Sequence, residues 1–239
     1  MSTSEILLSF PQPQHRAVFL QRTQRFLASM ELADGSQELV YCANSGAGVG
    51  NLSSGMQALL WKSTDLKRKR RFTWRAVEVD GHWVGTDTHL SNRIVEESIR
   101  LRLIPGLEAY DTIAREHLVA PGVRVDFLLS GPDGECLVEV KTSNIVHEGV
   151  ARYPDSPNPR GIKQIEALTR RCAAGQRSLL LFLVQRSDAL AFQVNTWNSA
   201  AYYDAINAAT SAGMEMMAVS VSVQPDGFGM PHVLPCRAT

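Results

Sequence analysis

The segment Val123–Lys141, VRVDFLLSGPDGECLVEVK, constrains this chain more than any other. Two apolar runs flank GPDG, so the segment reads as a β-hairpin turning at its Pro and Gly. Side chains on a strand alternate between faces. In the first run Val123, Val125, Phe127 and Leu129 share one parity, and Arg124, Asp126 and Leu128 the other. In the second, Leu137, Glu139 and Lys141 alternate against Val138 and Val140, which puts Glu139 and Lys141 on one face about 7 Å apart. A register that turns Asp126 toward them gathers two carboxylates and an ammonium at one end of a small sheet. Buried charges are costly unless they are paired or bind a metal, and a strand otherwise made of Val and Leu has no packing reason to carry Glu-Val-Lys. Two readings stand at this point: a functional site, or an edge hairpin with a surface Glu–Lys pair.

The 239 residues suffice for one large domain or two small ones with a sizeable core. Lys and Arg total 24, as do Asp and Glu, so the chain has no overall basic excess and any electrostatic grip on nucleic acid must come from local patches. The cysteines Cys42, Cys136, Cys172 and Cys236 are scattered, with no zinc-type spacing, as expected of reduced thiols. The first residues lack the basic-then-apolar pattern of a signal peptide, and LLLFLV at 179–184 is too short to span a bilayer. These features predict a soluble, cytoplasmic protein.

Taken in order, the chain divides in two. Up to about residue 85, short apolar runs alternate with the turn signals ADGS, SGAG and SSG, the spacing of a small β-barrel. Within it, RAVFLQRTQRFLASMEL fits a helix or two strands with a bend. The run Lys67, Arg68, Lys69, Arg70 and Arg71, followed by Phe72 and Trp74, reads either as a phosphate- and base-binding patch or as a solvated loop entering a strand. From His89 the character changes. A helix beginning near Arg93 is expected, capped by Ser91 or Asn92, with Ile94 and Ile99 inward. A strand near 112–119, the hairpin, a long polar loop over TSNIVHEGVARYPDSPNPRG, and an amphipathic helix over IKQIEALTRRCAAG follow. SLLLFLVQR reads as a strand buried on both faces, then come a helix over AYYDAINAATSAGM, a strand over MEMMAVSVSV and an irregular tail from Gln224. The sum is a mixed α/β sheet flanked by helices, ordered α-β-β-β-α-β-α-β.

Asp on one strand and Glu-x-Lys on the next resembles the active-site signature of the PD-(D/E)xK nuclease-like fold. The resemblance implies that Asp126, Glu139 and Lys141 are catalytic. The two carboxylates and the Val140 carbonyl would suit a hard cation, Mg²⁺ or Mn²⁺, and Lys141 would orient or help deprotonate the attacking water. More widely, the chain resembles the sugar fermentation stimulation protein family through RTQRFLA (22–28), CANSG (42–46), KRKR (67–70), SNRIVEESI (91–99), RVDF (124–127), EVK (139–141), YPDS (153–156) and RGIKQIEAL (160–168). That family pairs an N-terminal OB-like barrel with a PD-(D/E)xK nuclease-like domain, which implies boundaries of 1–85 and 86–239 here. It is described as DNA-binding and as linked to sugar, notably maltose, metabolism.

By position, Glu97 matches a helix carboxylate that completes metal sites in this fold, and Glu116 falls near an acidic family position after a one-residue gap. Lys67 to Arg71, Arg160, Lys163 and Gln164 would meet nucleic acid, with DNA favoured over RNA, and a barrel with the Lys67–Arg71 run is consistent with OB-type binding of a single strand. Two departures stand out: Ala47 and Gly48 replace a larger residue and Met, and Gln164 replaces a His. The implied function is a divalent-metal-dependent nuclease hydrolysing phosphodiester bonds. The alternative is a non-catalytic, nonspecific DNA-binding regulator of sugar metabolism.

Overall fold

An apolar run with no polar face can be satisfied only in the middle of a covered sheet, and RSLLLFLV (Arg177–Val184) lies there, buried over nearly its whole length. The computed structural model describes residues 5–44, 52–197 and 199–237, so the departures at Ala47 and Gly48 lie outside the described residues.

The chain opens with β1 (Ile6–Ser9), β2 (Gln14–Gln24), β3 (Leu27–Leu32), β4 (Gln37–Tyr41), β5 (Gln57–Lys62), β6 (Phe72–Val79) and β7 (His82–Gly85). β2 to β7 form one sheet in the order β4-β3-β2-β5-β6-β7, and a β4–β6 pairing at Tyr41↔Thr73 closes its first five strands into a barrel. The stretch that fits helix or strand is two strands turned at Arg25–Phe26, because Ala17 and Phe19 are buried at period two. Phe19 stacks on Trp74 inside, with centroids 5.3 Å apart, and the Trp74 indole donates to the Ala76 carbonyl at 2.9 Å.

Asp87 accepts from the His89 amide and starts a 3-10 turn, Thr88–Leu90, which runs straight into α1 (Ser91–Arg100). The helix thus begins before Arg93, and Ser91 and Asn92 are freed from capping for other partners. Next come β8 (Thr112–Ala120), β9 (Val123–Gly131), β10 (Gly134–Thr142), β11 (Ile145–His147), β12 (Val150–Tyr153) and α2 (Pro159–Ala173). β13 (Arg177–Val184), β14 (Ala191–Val194), α3 (Ala200–Ser211), β15 (Glu215–Gln224), β16 (Gly227–Leu234) and β17 (Cys236–Arg237) complete the chain. A seven-stranded sheet runs β1-β16-β15-β13-β10-β9-β8, with β10, β13 and β15 parallel at its centre. Ile94, Val95 and Ile99 of α1 cover one face, and Ile165 and Leu168 of α2 with Ile206 of α3 cover the other. Among the described residues no helix is long and apolar enough to cross a membrane.

Three expectations are corrected. Residues 6–9 do not belong to the barrel: β1 pairs with β16, and Leu7 and Phe10 join the α1-side core, covering part of an edge that would otherwise stand open. The polar loop after the hairpin holds β11 and β12, which with β14 and β17 make a four-stranded sheet. The tail from Gln224 is also ordered as strand. Pro231 is tolerated in β16 because β1 pairs only with Gly227, Phe228 and Gly229, leaving Pro231 on an open edge.

A polar seam docks the barrel on the sheet. The Gly85 amide donates to the Gln185 carbonyl at 2.9 Å, and Asn144 donates to the Gly85 carbonyl at 2.5 Å while accepting from the Gln185 amide at 3.1 Å. Gln185 Nε2 donates to Ser91 Oγ at 2.9 Å, and Ser91 Oγ meets Thr142 Oγ1 at 2.7 Å. A Cβ at Gly85 would lie 2.2 Å from Gln185 Oε1 and 2.9 Å from its Cβ, so only glycine lets β7 approach this closely. Gly85→Ala is therefore expected to cost roughly 1–3 kcal/mol of stability, read as a lowered urea midpoint; an unchanged midpoint would show that the seam yields without strain.

Candidate metal and phosphate site

The β9–β10 ladder runs from Gly131↔Gly134 to Phe127↔Val138 across the Pro132–Asp133 turn, and stops one position short of Asp126 and Glu139. On the other side, the β8–β9 register skips the Glu116–Asp126 position, and Glu116 has a left-handed backbone, φ 55°. Val125 packs with the α2 and α3 core, whereas Phe127 and Leu129 pack with the α1 core, so the alternation of β9 breaks at Asp126. The Asp126 carboxylate is thereby released from the ladder and takes the place of a backbone acceptor. Its Oδ2 accepts from the Val140 amide at 2.7 Å and its Oδ1 from Asn92 Nδ2 of α1 at 2.7 Å. A strand residue sends its N–H and C=O to the same edge, so the Val140 carbonyl faces the side on which Asp126 lies.

Glu139 and Lys141 point to the α2 side. Lys141 Nζ donates to Glu139 Oε1 at 2.5 Å and to Gln164 Oε1 at 2.8 Å, and Gln164 Nε2 donates to the Arg124 carbonyl at 2.9 Å. All three are buried, Glu139 at 2 % exposure. Glu139 Oε2 is buried with no hydrogen-bond partner. Burial pushes the Glu139 carboxyl up to about 7; the Lys141 ammonium opposes the shift and the Asp126 charge adds to it.

Among the described residues no three His, Cys, Asp or Glu side chains converge. The protein thus offers two carboxylates and one backbone carbonyl, with an orphaned carboxylate oxygen among them. That donor set fits a hard, oxygen-seeking cation that keeps several waters, and does not fit zinc.

A cleft of about 310 Å³ opens beside Lys141, lined by Val140, Asn144, Arg152 and Asn158 on the sheet side and by Arg25, Asn44 and Thr88 on the barrel side. Asn158 shapes it by capping α2: its Oδ1 accepts from the Gly161 amide at 2.8 Å and its Nδ2 donates to Tyr153 Oη at 2.7 Å. A larger cavity of about 610 Å³ lies at the start of α2, lined by Arg124, Arg160, Lys163 and Gln164. The Lys141–Gln164 hydrogen bond joins the walls of the two cavities.

The structure joins Glu139, Lys141 and Gln164 by hydrogen bonds on the α2 side, ties Asp126 to the adjacent Val140 amide and to Asn92 of α1, and lines the cavity beyond Gln164 with Arg160 and Lys163. Glu97 is not brought to this group. Ile94, Val95 and Ile99 turn α1 so that Glu97 lies on its outward side, in a groove with Arg93, Glu96, Arg100 and Arg115, and Asn92 is the helix residue that reaches Asp126. The basic run divides. Lys67 is exposed, Arg68 lies over the Tyr41 and Trp61 rings, and Lys69, Arg70 and Arg71 line a separate cavity of about 300 Å³ with Glu38 and Leu39. Asn92 and Arg25 escaped the reading of single residues, although both fall inside motifs, SNRIVEESI and RTQRFLA, that carry the family resemblance.

Comparison with known proteins bears on both halves. Residues 20–86 match the family model described as the SfsA N-terminal OB domain, and residues 89–227 match the sugar fermentation stimulation protein RE domain. A sugar fermentation stimulation protein homolog from Ruegeria pomeroyi is 35 % identical over 221 residues, covering 91 % of this chain and 96 % of its own. Another, from Geobacter sulfurreducens, is 35 % identical over 228 residues, covering 95 % and 98 %. The solved structure of Pyrococcus furiosus SfsA, in complex with Ca²⁺, superposes with a TM-score of 0.88 at 24 % identity, covering 98 % of this chain and all of the other; at that identity the likeness speaks to fold. Barrel, mixed sheet and nearly full-length identity agree, and the chain belongs to the sugar fermentation stimulation protein family.

Proposed function

We propose that this chain is a divalent-metal-dependent nuclease acting on DNA in the cytoplasm, with Mg²⁺ or Mn²⁺ held by Asp126, Glu139 and the Val140 carbonyl. The observation that carries this reading is the buried, unpartnered Glu139 Oε2, next to a Lys141 ammonium that opens on a polar cleft. A carboxylate oxygen left dry and unpaired is a cost that a bound cation removes. The Pyrococcus furiosus relative is described in complex with Ca²⁺, and this supports a divalent ion here. Glu97 has no place in the donor set; Asn92 instead holds Asp126 from α1.

When bound, such a cation supplies Lewis acidity, making water a better nucleophile and offsetting charge on the phosphate. The remaining work falls to the chain. Asp126, pinned by the Val140 amide and Asn92, would offer its remaining lone pairs to the ion. Lys141, fixed by Glu139 and Gln164, orients the attacking water and balances the charge that gathers on the phosphoryl oxygens. Arg124, Arg160 and Lys163 line the cavity beyond Gln164 and hold neighbouring phosphates.

Purified protein incubated with end-labelled single-stranded and duplex DNA and RNA is expected to cleave with Mg²⁺ or Mn²⁺ and to stop in EDTA. Glu139→Gln and Lys141→Ala should each reduce cleavage at least about a hundredfold, with Lys141→Ala still retaining DNA. Cleavage that survives in EDTA or in Glu139→Gln would sink the proposal. Salt-sensitive retention of label with no cutting by any form would favour the DNA-binding regulator of sugar metabolism instead.

A second expectation concerns the metal-free protein. In the unfolded chain the Glu139 carboxyl loses its proton near its ordinary value of 4.5, and in the folded chain near 7. The folded state therefore holds the extra proton between these limits, and the stability tied to it is present at low pH and lost as pH rises through about 7. Urea unfolding in EDTA from pH 5 to 8 should show stability falling by an amount on the order of 1–3 kcal/mol, and Glu139→Gln should flatten that slope. An equal slope in both proteins would show that Glu139 titrates normally.

A further inference from the structure

The barrel rim beside the cleft carries a stack of rings that the metal site does not use. Phe26, at the β2–β3 turn, is 43 % exposed. Its ring lies 6.5 Å from Tyr41 at an interplanar angle of 20°, and Tyr41 lies 6.3 Å from His89 at 14°. Tyr41 Oη and His89 Nε2 meet at 3.1 Å, which holds the inner pair in line. Two guanidiniums flank the stack, Arg25 over Phe26 at 5.3 Å and Arg68 over Tyr41 at 5.8 Å.

The stack is built rather than incidental. Arg22 Nη2 donates to the Arg25 and Asn44 carbonyls, and the Cys42 amide donates to the Phe26 carbonyl at 2.9 Å, so the turn is fastened to the segment after β4. Arg25 itself lines the cleft together with Lys141, and so does Thr88, next to His89. The RTQRF motif, which plays no part in the carboxylate site, thus places Arg25 in the wall of the cleft and leaves its neighbour Phe26 exposed on the adjoining rim.

A single exposed Phe would need no explanation. Three near-parallel rings with an exposed outer ring and two flanking guanidiniums are a different matter, because flat π faces and phosphates lie side by side in the same way along an unpaired nucleic-acid strand. In an intact duplex the base faces are covered by their neighbours, so only unpaired nucleotides can use such a stack.

We propose that Phe26, Tyr41 and His89 form a nucleobase-stacking subsite at the cleft mouth, with Arg25 and Arg68 at the flanking phosphates, so that the ligand is a single strand or a splayed end. This rests on the reading that the cleft takes nucleic acid, and its test uses binding without metal, independent of cleavage.

Fluorescence anisotropy in EDTA would compare a short fluorescein-labelled oligothymidylate, an abasic strand of equal length and a blunt duplex, on wild-type protein and on Phe26→Ala. Base–aromatic stacking predicts that wild type binds the oligothymidylate about tenfold more tightly than the abasic strand, and that Phe26→Ala lowers the former to the level of the latter. Phe26 is exposed, so equal melting temperatures are expected and would confirm an intact fold. Equal affinity of wild type for thymidine and abasic strands, or unchanged affinity in Phe26→Ala, would overturn the subsite and leave the nuclease reading standing. Base-dependent binding without cleavage at any metal concentration would support the subsite and sink the nuclease. Failure of wild type to bind any probe in EDTA would overturn the subsite, while the nuclease reading would still stand or fall on cleavage with Mg²⁺ or Mn²⁺.

Discussion

Carrying a carboxylate and an ammonium inside the end of a central strand is the demand on which the rest of the site depends. Taking the two ions out of water costs several kcal/mol each, and a well-packed apolar pair would serve stability as well or better. Lys141 recovers part of that cost through two acceptors, Glu139 and Gln164, and Gln164 is itself anchored to the Arg124 carbonyl. Glu139 recovers less, since one oxygen has no partner and its proton is held up to about 7. The strand, α2 and the start of β9 are thus committed to holding charges where packing alone would not place them, which is why this group is the candidate site.

The second constraint is the polar seam between barrel and sheet. The end of β10 and the residues just after it do two tasks there: Asn144 docks the barrel through Gly85 and accepts from Gln185, Thr142 holds Ser91 of α1, and the same two residues line the cleft. Because one stretch of backbone serves both, the rim bearing Arg25 and Phe26 is held at the mouth of the cleft that Lys141 faces. Asn92 is tied in by the same logic. The 3-10 turn capped by Asp87 feeds α1 without using Ser91 or Asn92 as caps, leaving one for the seam and the other for Asp126.

Local pattern was sufficient wherever an element was long and strongly periodic. The hairpin, with its Glu139 and Lys141 on one face, the amphipathic α2 and the apolar β13 follow from alternation and spacing alone. It failed where elements are short or hold only through distant partners. β11 and β12 span three and four residues of mixed polarity and become strands by pairing with each other and with β14. β16 carries two glycines and a proline and is ordered by β15 and β1 on its flanks. For Arg16–Leu32 both periods fit the letters, and closure of the barrel chose the strands.

The sequence by itself determined the chemistry available: a carboxylate before the turn, Glu-x-Lys after it, and a family pattern along nearly the whole chain. Covalent order and side-chain alternation suffice for that, since both act within a few residues. Only the tertiary structure decided which groups meet. It freed Asp126 from its ladder, brought Asn92 rather than Glu97 to it, left one oxygen of Glu139 unpartnered, and split the Lys67–Arg71 run between two surfaces. Each of these depends on helix rotation, strand register or domain docking, which are fixed by packing between residues far apart in the chain.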